Sequence, residues 1–282
     1  AHAIEVLRVR RDITPPMDLK GATAMVTGAA TRIGRHIAQG LADGGANVAI
    51  TYRSSHDEAL NTLEDLRTRE VDACAVELDL TEPASCASAV EQVERDLGPV
   101  DVLVNNASSF TPTPFPTKDH RGWYESFDVV IHGPYHLSNL LAPGMIQRGT
   151  GSIINLVDLS AWNPWPNRGA HSVAKAALLA LTRQLAVELA PTVRANAIAL
   201  GPTIPATRFT QEQIEHLAQR TLKGTWGDAK QVAAAVRFLV ESDFMTGECL
   251  TIDGGERWAH VRSRFLVEEG GTDAQKPPDG TG

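Results

Sequence analysis

Short apolar runs alternate with amphipathic stretches along most of the chain, and this alternation sets the expected elements. Residues 24–27, 47–52, 74–78 and 101–105 are brief, rich in Ala, Val, Ile and Leu, and too short for stable helices. Runs of this kind are strands buried on both faces. Residues 152–157, 193–200 and 249–252 continue the series. Between them the period lengthens to that of a helix. Residues 35–42 form the first, stopped by Gly44-Gly45. In 56–69, Leu60, Leu63 and Leu66 make one stripe while Asp57, Glu58, Glu64 and Asp65 face water. Helices are also expected over 83–97, 119–147, 171–189, 210–222 and 228–240, with an interruption at Gly133-Pro134. Two loops rich in Pro and aromatic residues, 108–117 and 159–168, follow the fourth and fifth strands.

Strand, helix, strand in regular succession predicts an α/β fold, a doubly wound, Rossmann-type parallel sheet covered on both faces. A single domain is expected over residues 19–266, preceded by an arm (1–18) and followed by a disordered Gly/Pro/Asp-rich tail (267–282). Right-handed crossovers place all strand C-termini at one edge, where the ligand crevice lies. The residues just after each strand are therefore the functional candidates.

Composition narrows the classes. The chain has 282 residues, is 43% apolar, and carries a net charge of −8. An acidic balance argues against nucleic acid as a partner. Cys74, Cys86 and Cys249 are odd in number and far apart, which fits a reducing compartment and gives no zinc-like cluster. No apolar run approaches ~20 residues, so no membrane span is expected. The expectation is a cytoplasmic protein acting on a small molecule.

After the first strand comes Gly28, with Gly34 where the helix should begin. Free N–H groups and a positive helix end there suit a phosphate, although short glycine patterns are common in ordinary turns. After the second strand, Arg53-Ser54-Ser55 includes no acid. That triplet reads either as a solvated loop or as a guanidinium and two hydroxyls for a 2′-phosphate, the mark of NADP over NAD. Asp79 and Leu80 follow the third strand, placed to reach an adenine ring; Asn106 and Ala107 follow the fourth.

These residues, with Lys175 and Asp253-Gly254-Gly255, resemble in order and spacing the short-chain dehydrogenase/reductase family over roughly 19–258. Within it the chain is most similar to the pteridine reductases. Arg32 stands at their arginine in the glycine motif, Phe110 at the aromatic that stacks on the pterin, and Asp158 at the Asp they carry after strand five. The resemblance implies NADP as cofactor, with Ile33, Gly201 and Thr203 also beside it. It implies a homo-oligomer, a tetramer, paired through the helix of residues 171–189; the apolar positions Ala176, Leu178, Leu179, Leu181 and Leu185 exceed one face of that helix.

The departures bear on chemistry. The family's acid is a Tyr four residues before its Lys; here that place is His171. The family's Asn in the helix after strand four falls at Val130. A reductase needs a proton donor near the acceptor atom. A free phenol titrates near 10 and a free imidazole near 6.5. His171 either replaces the phenol, with Asp158 as its partner and Lys175 on the ribose, or marks a site where catalysis was lost. Phe110, Trp162, Trp165 and Trp226 sit in loops at the ligand edge, as an aromatic slot for a planar ring or as loop packing. Two functions remain open: an NADPH-dependent reductase of a small carbonyl or pterin-like substrate, and an NADP-binding sensor or scaffold without turnover.

Overall fold

The computed structural model describes residues 17–261. The expected arm and tail lie, but for Met17 and Asp18, outside the described residues. Seven strands are present among the described residues: β1 (Thr23–Val26), β2 (Asn47–Tyr52), β3 (Ala73–Glu77), β4 (Val102–Asn105), β5 (Gly151–Asp158), β6 (Val193–Leu200) and β7 (Cys249–Ile252). They form one parallel sheet in the order β3-β2-β1-β4-β5-β6-β7. The chain winds outward from β1 to β3, then returns to the other side of β1 to lay down β4. The crevice of a doubly wound sheet opens at this reversal.

Among the described residues there are eight α-helices: α1 (Arg32–Asp43), α2 (His56–Arg67), α3 (Pro83–Leu97), α4 (Arg121–Phe127), α5 (Gly133–Arg148), α6 (Gly169–Glu188), α7 (Gln211–Gln219) and α8 (Ala229–Glu241). Successive strand residues point to opposite faces, so each strand feeds two cores. Met25, Leu103 and Ile153 enter the core beneath α3, α5 and α6. Ala24, Val26, Val104 and Ile154 enter the core beneath α1, α2 and α8. Both sets are fully buried, which is why these strands read as unbroken apolar runs.

Three differences from the sequence reading bear on the site. α1 begins at Arg32 rather than residue 35, so Gly34 lies within its first turn. α6 begins at Gly169, which brings His171 onto its first turn. Gly133-Pro134 does not break the helix. α4 passes into α5 through a wide π turn, Asp128–His132, in which the Gly133 N–H bonds the Asp128 carbonyl. This wider step accommodates a proline that has no N–H to continue an α ladder. Among the described residues no helix is long and apolar enough to cross a membrane.

Candidate active site

The glycine turn is built by close approach. Gly28 has φ +61° and a Cβ there would stand 3.1 Å from Ala107. A Cβ on Gly34 would lie 2.5 Å from the Gly28 carbonyl and 2.6 Å from Asn106 Nδ2, so only glycine fits. The end of β4 locks this turn: Asn106 Nδ2 donates to the Thr27 and Gly28 carbonyls, and Thr27 Oγ1 accepts the Asn106 and Ala107 N–H groups. Asn106 is thus committed to the backbone of the turn, while Ala107 faces the crevice.

One cavity, about 240 Å³, joins Gly28 to Arg53, Ser54, Ser55, Asp79, Leu80 and Ala107. Asp79 accepts the Thr81 N–H and hydroxyl at 2.9 and 2.8 Å. The Thr81 N–H bond, with help from the Thr81 hydroxyl and the Arg53 charge, outweighs burial and holds the Asp79 carboxyl below its usual value. Glu125, on α4, lines the same cavity and stands 3.8 Å from Arg53. Nothing near Arg53 in the sequence announces it.

At the far side of the turn, Arg32 has φ +54° and donates to the Ile204 and Pro205 carbonyls at 3.1 and 3.3 Å. It thereby ties the start of α1 to the loop after β6. Arg32, Ile33, Gly201 and Thr203 line a second cavity of about 720 Å³ together with Phe110, Trp165 and Trp226. Thr203 is buried and donates to the Gly201 carbonyl.

Asp158, His171 and Lys175 meet where β5 ends against α6. His171 Nε2 lies 2.7 Å from Asp158 Oδ2, and its Nδ1 lies 3.0 Å from the Ser109 carbonyl oxygen. The Ser160 N–H and hydroxyl both donate to Asp158 Oδ1. Lys175 is buried and donates to the Leu156 carbonyl at 2.7 Å. Burial alone would raise the Asp158 carboxyl. The His171 hydrogen bond, the Lys175 and His171 charges and the Ser160 hydroxyl outweigh it, and the group is held low, as a carboxylate. Burial lowers the Lys175 ammonium, against the pull of Asp158. His171 is 2% exposed and both its nitrogens are engaged, whereas Asp158 keeps 15% of its side chain exposed. Val130 lies fully buried in the π turn and offers no polar side chain.

The His171 ring is boxed by aromatics. Phe110 meets it edge-on at 4.8 Å, and Trp165 stacks on it at 5.9 Å and 16°. Trp162 does not join this group. It follows the short 3₁₀ turn Leu159–Ala161 and lines a neighbouring cavity with Trp258, which Trp165 also borders. Trp226 lines the same cavity as Phe110 and Trp165, anchored by its Nε1–H to the Ile214 carbonyl. The backbone carbonyl of Ser109 and the hydroxyl of Ser160, which set the His171–Asp158 geometry, carry no sequence signal; both depend on loops folding back.

A family model described as Enoyl-(Acyl carrier protein) reductase matches residues 28–256, well over half the chain. The 2-dehydro-3-deoxy-D-gluconate 5-dehydrogenase of Formosa agariphila is 28% identical over 246 residues, 84% of this chain and 93% of that protein. The crystal structure of FolM Alternative dihydrofolate reductase 1 from Brucella canis, complexed with NADP, is 30% identical with a TM-score of 0.81, covering 93% of this chain and 98% of that one. An NAD+-bound xylitol dehydrogenase is 26% identical with a TM-score of 0.79, covering 85% and 100%. Similar proteins thus bind either dinucleotide.

Proposed function

Because the chain belongs to the short-chain dehydrogenase/reductase family of NAD(P)-dependent oxidoreductases, we propose that it reduces a small carbonyl or pterin-like planar substrate with NADPH. The observation that carries this reading is the Asp158–His171 pair, hydrogen-bonded at 2.7 Å above a buried lysine and beside Phe110 and Trp165. It fits pteridine reductase-like chemistry better than that of the sugar-acid relatives, because the cavity wall is aromatic.

The residues present fit a dinucleotide. The glycine turn leaves no room for a Cβ, and the two cavities meet it from either side. Arg53, Ser54 and Ser55 would hold the 2′-phosphate, Asp79 and Leu80 the adenine, and Ile33, Gly201, Thr203 and Lys175 the nicotinamide end. A reduced nicotinamide supplies a hydride when bound. The chain supplies the proton. His171 Nδ1–H is fixed on the Ser109 carbonyl, so the mobile proton is the one between Nε2 and Asp158 Oδ2. His171 is walled in, so this one proton passes from its Nε2 to the carboxylate and leaves through the partly exposed side of Asp158, and solvent returns a proton to the pair after turnover. The His171 hydrogen bond and then the Lys175 charge keep Asp158 a carboxylate between turnovers.

A second reading has its own observation. Both His171 nitrogens are occupied and Val130 offers no polar group, which suits a cofactor-binding sensor or scaffold without turnover. Following NADPH absorbance with pterins, quinones, ketones and aldehydes separates the two. The reductase reading expects oxidation that falls by about 10²–10⁴ in Asp158→Asn with NADPH affinity retained. No oxidation with any of these classes, in wild type and variants alike, leaves the scaffold.

A further inference from the structure

The large cavity is more cationic than a flat apolar ring requires. Arg208 lines it, and no described residue forms an ion pair or hydrogen bond with its guanidinium. Arg168 lies with its guanidinium carbon 4.4 Å from the centre of the Phe110 ring, and Phe110 lines the same cavity. Arg168 Nη1 is buried without a hydrogen-bond partner. The one carboxylate on the cavity wall, Glu256, is already held by Arg220 at 2.8 Å. Arg32 spends its guanidinium on two backbone carbonyls. Arg208 rests only on the Phe209 ring, 5.9 Å from its centre; neighbouring guanidiniums repel, and a buried N–H without an acceptor is costly.

An anion held by Arg208 would offset that repulsion. We infer that Arg208, reinforced by Arg168 across Phe110, is a specificity determinant for an anionic oxygen group, a carboxylate or a phosphate monoester, carried by the substrate. The inference rests on the large cavity being the substrate site proposed above. Its chemistry is that of a planar guanidinium donating paired N–H groups to two oxygens of one anion. Burial foremost, and then the neighbouring Arg208 charge, push the Arg168 guanidinium down from its ordinary value. Phe110 and Trp165 would hold the flat part of the molecule while the anion sets its direction.

The test is binding to the NADP⁺-loaded protein, followed by tryptophan fluorescence, since no turnover is then needed. Three probes are compared: phenylglyoxylate, its neutral amide, and phenyl phosphate. At least one anion should bind roughly ten- to a hundredfold more tightly than the amide. Whichever anion prevails identifies the group. Arg208→Gln should erase that preference and leave the amide unchanged, Arg208→Lys should keep part of it, and Arg168→Gln should weaken it. Equal affinity for all three probes in wild type, an equal loss for all three in Arg208→Gln, or no binding of any up to millimolar concentration overturns the inference. Anion preference without NADPH oxidation would keep this site and remove the reductase; oxidation with equal use of neutral and anionic carbonyls would do the reverse.

Discussion

The imidazole of His171 bridges a carbonyl and a carboxylate, 3.0 Å from the Ser109 oxygen and 2.7 Å from Asp158 Oδ2. A carbonyl only accepts, so Nδ1 carries a proton and the tautomer is fixed. Two substitutions at this position therefore give different outcomes. His171→Ala should cost about 10²–10⁴ in turnover, because the carboxyl is no longer recharged, with NADPH affinity unchanged. His171→Tyr restores the family's acid and should shift the alkaline limb of the pH–rate profile upward, since a phenol titrates near 10. Steady-state rates across pH check both.

The same pair should be visible in stability. The Asp158 carboxyl is held low in the folded protein by His171, Lys175 and Ser160 against its burial. A lowered carboxyl contributes stability that is fully present above its unfolded value, near 3.9, and is lost as pH falls through the folded value. Asp158→Asn should thus be less stable by about 1.5–3 kcal/mol at neutral pH. The gap from wild type should close in acid. Denaturant melts at neutral and acid pH measure it; a gap that stays constant would contradict the assignment.

Glu125 bears on cofactor choice. It faces Arg53 across the smaller cavity at 3.8 Å, where a 2′-phosphate would have to displace it. We propose that Glu125→Gln tightens NADP(H) binding severalfold and leaves NAD(H) nearly unchanged, while Arg53→Ala narrows the preference for NADP by about ten- to a hundredfold. Calorimetric titration of the two cofactors decides. A wild type with equal affinities removes the NADP assignment.

Assembly remains a proposal with a structural rationale. α6 uses Leu178 and Leu179 in its own core, while Leu181 and Leu185 are only partly covered. Val173 and Val187 on α6, and Tyr124, Tyr135, Leu140 and Ile146 on the neighbouring α4 and α5, are exposed. We expect these faces to pair in a homo-oligomer, a tetramer. Light scattering at micromolar concentration should give a multiple of the 30.3 kDa chain mass; a monomer would contradict it.

The fold was legible because strands buried on two faces must be apolar at every position, as in Val102, Leu103 and Val104, and that leaves a plain trace. The strand ends were legible for the same reason: once β1, β2, β3 and β5 are located, Gly28, Arg53, Asp79 and Asp158 follow. Gly28, Arg53 and Asp79 line one cavity, and Asp158 stands at the end of β5 against α6. What escaped depends on distant segments meeting. Glu125 reaches Arg53 from a helix far along the chain. Arg208 sits in an irregular loop with no periodicity to place it. Trp162 and Trp165 look equivalent in sequence, yet both line the smaller neighbouring cavity and only Trp165 also reaches the large one and the His171 ring. Gly133-Pro134 looks like a break because a π turn leaves no compositional mark.

The Arg32 fork has a kinetic corollary. One guanidinium fastens the first residue of α1 to the carbonyls of Ile204 and Pro205, and Arg32 and Ile204 both line the bank of the large cavity. Whatever settles on the glycine turn also steadies that bank, so the second ligand meets a wall already set by the first. We expect a compulsory sequence: dinucleotide arrives first and departs last. Product-inhibition patterns should be competitive only between the two cofactor forms in wild type. In Arg32→Lys, which keeps the charge but not the fork, either ligand should be able to enter first.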